Sequence, residues 1–320
     1  MARFLLFTAI FLLIAGRVCA QQAPVAAGQS IRVDVARVNV GVVVTGDKAK
    51  FVEGLRREAF HAFDNGAEQP ITEFASIEEP GQVLLLVEAG PAAYFLQGAN
   101  LFAAGAMLNG LSPGDRVAVA RYTDAPLGIQ DFTSDKPAAQ AALSSIQFNL
   151  GFADLNLSSS LGTVLDWLGR LPGKKTIVLI STGVDTSPES AAVALQARLQ
   201  TGEVRILCVS TSGPLRNGKQ GSKVKIQQTQ DEFAAADRRL QAIASLTGGR
   251  AYFPMNAKAF QETYKEVAEI VRHEYSLAFA LPAADGALHS IDVKVDRPGV
   301  PGKVTAYRVD HRRGYQAPKQ

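Results

Sequence analysis

From residue 31 the chain alternates. Ile31, Val33 and Val35 are separated by Arg32, Asp34 and Ala36, and the pattern runs on through Val38 and Val40 to Val44. A period of two is the mark of a strand with one buried face. Thr45-Gly46-Asp47 reads as a turn, and Asp64-Asn65-Gly66 as a second one that sets a short strand at Ala62-Phe63 beside another over 71–77. Residues 31–80 are therefore expected to form an N-terminal β unit, closed by Glu78-Glu79-Pro80-Gly81.

At residue 82 the rhythm changes. Val83-Leu84-Leu85-Leu86-Val87 is a continuous apolar run, and similar runs recur over 117–120, 176–180 and 204–209. Runs of this kind suit strands buried on both faces. Helical spacing separates them. Ser187-Pro188 opens a helix expected to reach about Leu199. Phe233, Leu240 and Ile243 share a face of the next helix, which Thr247-Gly248-Gly249 stops, and Phe260, Tyr264, Val267 and Val271 stripe the last. Buried strands alternating with helices predict a doubly wound α/β domain with a mostly parallel sheet over 81–273. Ligands of such sheets sit at the carboxyl ends of the strands. Alternation returns after Glu274, at Tyr275, Leu277 and Phe279, then Ile291, Val293 and Val295, then 304–309, with Ala284-Asp285-Gly286 as a turn. Residues 274–320 are expected to pack with the N-terminal β unit.

The first twenty residues change the compartment. Arg3, an uncharged apolar run over 4–15 and the small residue Ala20 have the layout of a secretory signal peptide cut after Ala20, followed by a flexible lead over 21–30. A run of twelve uncharged residues falls short of the roughly 20 that span a bilayer. The mature chain is expected to be exported, periplasmic or secreted, without a membrane span. Its 33 basic residues less Arg3 and Arg17 stand against 30 acidic ones, a net charge of +1 that speaks against nucleic acid as partner. Cleavage removes Cys19 and leaves Cys208, inside an apolar run and expected to be a buried, inert thiol.

Several stretches carry a resemblance. They are Val38-Asn39-Val40 through Val44, Phe51-Val52-Glu53-Gly54-Leu55, Asp64-Asn65-Gly66, Ile71-Thr72-Glu73-Phe74 and Leu171-Pro172-Gly173-Lys174-Lys175. Leu246-Thr247-Gly248-Gly249-Arg250-Ala251-Tyr252-Phe253 and the close at Arg313-Gly314-Tyr315 complete them. In this order they resemble von Willebrand factor A domains, and more narrowly the exported "VWFA-related" proteins of the acidobacterial type. The resemblance implies a Rossmann-like fold and a binding role, with a metal-ion-dependent adhesion site at the crest of the sheet. That site's first loop would read Asp-x-Ser-x-Ser, and here the five positions are Glu88-Ala89-Gly90-Pro91-Ala92. The second loop, within 152–160, offers no threonine, although Asp154 and Ser158 to Ser160 are close. The third would be Ser-Asp-Gly and is Ser181-Thr182-Gly183, with Asp185 three residues beyond the position that matters. Mg²⁺ wants close to six oxygen ligands, so the resemblance implies a degenerate site and no cofactor is expected. A rescued site would use Glu88, Asp154, Ser181 and Asp185. The alternative is that Glu88 bonds to the loops and Asp185 caps the helix beginning near Ser187.

The surroundings of that site lack charge. No charged residue occurs over 89–114, which includes Tyr94, Phe95, Leu101, Phe102 and Leu108, nor over 137–153, which ends in Phe148-Asn149-Leu150-Gly151-Phe152. A helix uncharged on every face is either core, here under the β unit, or an apolar contact surface. The candidate partner-binding residues are Tyr94, Phe148, Leu150 and Phe152, and the expected partner is a protein. The loop 213–230, with Arg216, Lys219, Lys223 and Lys225, is a second candidate surface. His61, His273, His289 and His311 are scattered without metal-ligand spacing, and there is no nucleophile elbow, phosphate loop or Cys-x-x-Cys. The histidines are expected at exposed polar positions without a catalytic role, so the chain reads as a binder rather than an enzyme. A metal-dependent binder or a structural envelope module are the alternatives.

Overall fold

The computed structural model describes residues 37–94, 97–151, 154–216, 230–296 and 307–319. The expected signal peptide, the lead, Ile31, Val33 and Val35, Phe95, Phe152, and Lys219, Lys223 and Lys225 of the basic loop lie outside the described residues.

The chain opens with β1 (Arg37–Thr45), β2 (Phe60–Asp64), β3 (Ala67–Gln69) and β4 (Ile71–Ala75). The α/β part follows: β5 (Gln82–Glu88), α1 (Pro91–Tyr94), α2 (Gln97–Leu108), β6 (Arg116–Tyr122), β7 (Pro126–Thr133), α3 (Lys136–Ser144) and α4 (Leu157–Leu168). It continues with β8 (Lys175–Ser181), α5 (Glu189–Thr201), β9 (Arg205–Ser210), α6 (Gly213–Arg216), α7 (Gln230–Leu246), β10 (Ala251–Tyr252) and α8 (Ala257–Arg272). The close is β11 (Glu274–Ala280), β12 (Leu288–Val295), β13 (Arg308–Asp310) and β14 (Gly314–Gln316).

The central sheet runs β10-β9-β8-β5-β6-β7, parallel except for the edge strand β7. Alternation along each buried strand sorts its side chains onto two faces. Val83, Leu85, Val87, Val117 and Val119 face α2, α3 and α8. Leu84, Leu86, Ala118, Ala120 and Tyr122 face α4, α5 and α7. Each fully buried Leu or Val contributes about 1.5–3 kcal/mol, which is why these runs read so clearly. Helix α8 has the cleanest stripe, with Phe260, Tyr264, Val267 and Val271 all buried, and Asn256 caps it by accepting from the Ala259 amide at 3.0 Å.

The chain ends form two antiparallel four-stranded sheets, β13-β1-β11-β4 and β14-β12-β2-β3. N- and C-terminal strands interleave in both: β1 pairs β11 from Arg37 against Ala280 to Val43 against Glu274, and β2 pairs β12. Val38, Val40, Val42, Phe60, Tyr275 and Ile291 meet between the sheets as one core. Val43 points the other way, into the core of the α/β part. Behind β1, Arg205 and Glu274 form a buried ion pair at 2.8 Å, and a Cβ on Gly41 would lie 1.9 Å from the Glu274 Oε1.

Three local expectations change. Helix α5 begins at Glu189 with Pro188 as its cap residue, one position later than Ser187-Pro188 suggested, because the Ser187 hydroxyl is taken by the Ser159 amide at 3.2 Å. Helix α2 is covered by α8 and α3 rather than by the β unit, and Phe102 on its outer stripe is 69% exposed. His273, His289 and His311 are buried, not exposed, because each ring finds partners brought from distant strands or its own helix. Cys208 is buried, and burial pushes its thiol well up.

Candidate functional site

The crest of the sheet is built from the last residues of three adjacent strands. Glu88 ends β5, which lies between β6, ending at Tyr122, and β8, ending at Ser181. The pairing puts Glu88 directly opposite Tyr122. All three side chains are fully buried.

The Glu88 carboxylate is enclosed by donors. The Ser181 hydroxyl donates to Oε2 at 2.9 Å and the Thr182 amide to the same oxygen at 2.8 Å. The Thr182 hydroxyl reaches Oε1 at 3.0 Å and Oε2 at 2.8 Å, and the Tyr122 hydroxyl stands 3.3 Å from Oε2. Tyr122 and Ser181 are bonded to each other at 2.7 Å, which closes the ring above the strand ends. Burial pushes the Glu88 carboxyl above its ordinary value, and the hydrogen bonds from Thr182, Ser181 and Tyr122 oppose that shift without cancelling it. Burial, and then the nearby Glu88, push the Tyr122 phenol up strongly.

The loop after Ser181 is held from below. Gly183 sits at φ +81°, and a Cβ there would come within 2.7 Å of the Ala236 carbonyl of α7. Arg239 of α7 donates to the Gly183 carbonyl at 2.6 Å and approaches Asp185 at 3.9 Å. Asp185 accepts from the Ser187 amide at 3.0 Å and from the amide and hydroxyl of Ser158 in the first turn of α4. It therefore ties its own loop to α4 and does not cap α5. Burial pushes its carboxyl up, but the hydrogen bonds from Ser158 and Ser187 outweigh this and hold it below the ordinary range.

Of the four residues a rescued metal site would use, Glu88 and Ser181 are joined directly. Asp185 stands beyond them, bonded to α4. Asp154 is exposed before α4, and no hydrogen bond ties it to Glu88 or Asp185. Among the described residues no three His, Cys, Asp or Glu side chains gather as a metal-holding group. Sequence reasoning missed Tyr122 and Thr182 as partners of Glu88. The signal was a hydroxyl-bearing residue at the carboxyl end of each flanking strand.

Beside the crest, the Asn149 amide donates to the Ala89 carbonyl at 2.8 Å and so fixes the 148–150 segment against the first loop. Tyr94 packs edge-on against Phe148, with ring centres 6.2 Å apart. Tyr94 is 38% exposed and Leu150 63%, while Phe148 is half-buried against the core of the α/β part. No helix among the described residues is long and apolar enough to cross a membrane.

No family model matches the chain, and no curated protein does. Among solved structures it is similar to the conserved hypothetical protein BatB from Bacteroides thetaiotaomicron, with 13% identity, a TM-score of 0.44, and coverage of 60% of this chain and 99% of that one. A von Willebrand factor type A protein from Catenulispora acidiphila gives 10% identity and a TM-score of 0.45 over 89% and 74% of the two chains. The vWF domain of the type V pili tip protein Mfa5 from Porphyromonas gingivalis gives 12% identity and a TM-score of 0.43 over 60% and 96%. The parallel strands β9-β8-β5-β6 with one antiparallel edge, the helices on both faces and the loop cluster at the carboxyl ends make the segment from β5 to α8 a doubly wound, Rossmann-like α/β domain, flanked by β sheets drawn from both ends of the chain.

Proposed function

We propose that this chain is an exported, non-enzymatic binding module that takes a protein partner on the uncharged rim of its crest without a divalent ion. The observation that carries this reading is the enclosure of Glu88. A divalent ion needs oxygen lone pairs turned toward it. The lone pairs of Glu88 are met by the Thr182 amide and by the hydroxyls of Thr182, Ser181 and Tyr122. An N–H facing Glu88 Oε2 puts a positive pole where a cation would have to approach, and Ser181 and Thr182 serve as donors to Glu88 rather than as ligands. The donor set does not fit Mg²⁺.

Recognition then falls to the surface around it. Tyr94 and Phe148 pack together with the exposed Leu150 two residues beyond, and Phe102 of α2 is exposed within the neighbouring uncharged stretch. The neighbouring stretches 89–114 and 137–153 contain no charge. Exposed aromatic and aliphatic side chains on a rigid base are what protein partners bury most profitably. Export is carried by the signal-peptide layout of residues 1–20. The test is capture of envelope proteins on the purified mature chain, with and without EDTA, beside the Leu150→Ser and Phe102→Ser variants. Capture is expected to survive EDTA and to be lost in the variants at unchanged thermal stability. Capture abolished by EDTA and restored by Mg²⁺ overturns it.

A further inference from the structure

Two histidines of the sheet β14-β12-β2-β3 share one geometry. On β12, the His289 Nδ1 lies 2.7 Å from Oδ1 of Asp64 at the end of β2, and its Nε2 lies 3.3 Å from both carboxylate oxygens of Asp285. On β2, the His61 Nδ1 lies 2.7 Å from Glu68 of β3, and its Nε2 lies 3.0 Å from Asp296, just past β12. A carboxylate accepts and does not donate. A ring with a carboxylate at each nitrogen must therefore carry both protons, because a neutral ring would turn a lone pair toward one of them. His311 is the internal contrast. Its Nδ1 donates to the Arg312 carbonyl at 2.7 Å while its Nε2 accepts from the Val293 amide at 3.3 Å, which fixes one proton on a neutral ring.

The His289 group reaches further. Tyr315 of β14 donates to the other oxygen of Asp64 at 2.5 Å. The Arg312 guanidinium stands 5.9 Å from the Tyr315 ring and donates to the Gly202 carbonyl at the C-terminal cap of α5. Strand β14 itself is three residues long, pairs only with β12 within its sheet, and packs on α5. It thus fastens the β unit to the α/β domain, and Asp64 is the point where imidazole, phenol and strand end meet.

We propose that His289 and His61 form a pH-sensitive clamp on this sheet, in which loss of the second imidazole proton releases the edge strand each one holds: β14 for His289, and with it the grip of the β unit on α5, and β3 for His61. When His289 gives its proton to solvent, either Asp64 or Asp285 is left facing a lone pair. Asp64 is buried, and Tyr315 OH remains as its neutral partner. Among the described residues, the charged groups on this edge include Lys319, whose stem lies over Gly286 and whose backbone bridges to Asp285, and Arg312, which stands over the Tyr315 ring packed against His289. Lys294 stands opposite His61 on β12, with its ammonium 4.7 Å from the Phe63 ring. The hydrogen bond to Asp64 first, and the one to Asp285 with it, raise the His289 imidazole against the opposing effect of burial, and Glu68 and Asp296 do the same for His61. A histidine raised in the folded state contributes stability that is complete below the ordinary value of 6.5 and is lost as the pH climbs through the raised value.

The test is amide hydrogen exchange on the full mature chain from pH 5.5 to 9, corrected for intrinsic exchange and read at β14, β12 and β3. Protection of β14 is expected to fall by up to about tenfold per pH unit through the window above 6.5, the limit for one linked proton. In His289→Gln that slope disappears at β14 and persists at β3, and in His61→Gln the reverse holds. Should either variant fail to fold, Asp285→Asn keeps the buried Asp64 bond and removes the outer carboxylate, and it moves the β14 window to lower pH. An identical slope in the wild type, His289→Gln and Asp285→Asn, or protection that rises with pH, overturns the proposal.

Discussion

Glu88→Ala is the most direct perturbation of the crest. The substitution removes a fully buried carboxylate that receives four donors. The Thr182 amide and hydroxyl would lose the partner 2.8 Å away. The Ser181 hydroxyl keeps Tyr122 at 2.7 Å and the Gly183 amide at 2.9 Å. Leaving a buried donor unmet costs about 1–3 kcal/mol each, so Thr182 alone accounts for about 2–6 kcal/mol. Against this stands relief of a desolvated carboxylate, whose raised affinity for its proton shows that burial outweighs its hydrogen bonds. We expect a net loss of about 3 kcal/mol, a typical size for a broken buried network. Urea unfolding at pH 7, extrapolated linearly, reads it directly. A variant within about 0.5 kcal/mol of the wild type, the range of an ordinary surface substitution, would refute the enclosure. So would a wild type stabilised by Mg²⁺ beside an indifferent variant.

Further predictions follow from other contacts. Glu88→Gln keeps the shape and removes the titrating proton. A carboxyl raised in the fold takes up a proton on folding, so wild-type stability falls as pH rises from 4.5 through the raised value, and the variant should lack that slope in pH-dependent urea midpoints. Gly41→Ala drives a Cβ to 1.9 Å from Glu274 and breaks the buried pair with Arg205. Separating such a pair costs about 3–5 kcal/mol, and thermal unfolding should show it. Leu150→Ser and Phe102→Ser remove exposed side chains, so their unfolding free energies should stay within about 0.5 kcal/mol of the wild type while partner capture is lost.

The strands of the central sheet were legible because each is a run of apolar residues with no polar face to confuse the period. Helix α8 was legible because Phe260, Tyr264, Val267 and Val271 recur at helical spacing. Strand β10 is two residues long, below what any periodicity can register, and β7 is a half-exposed edge in which Pro126, Gly128 and Asp131 interrupt the apolar pattern. The alternation in β1, β11 and β12 showed that each has an inner face but could not say which of two sheets it joins, since that depends on partners more than 200 residues away. The histidines were misplaced for the same reason. His289 reads as a polar surface residue until Asp64, 225 positions earlier, arrives beside it. At the crest, Glu88 stood out as a departure from the adhesion-site pattern, whereas its donors come from two neighbouring strand ends that the linear order separates.

Titration calorimetry of Mg²⁺ and Mn²⁺ into the purified protein bears most directly on the enclosure of Glu88. No saturable heat is expected, and the unfolding temperature should be unchanged by EDTA. Saturable micromolar binding that disappears in Glu88→Ala would contradict it.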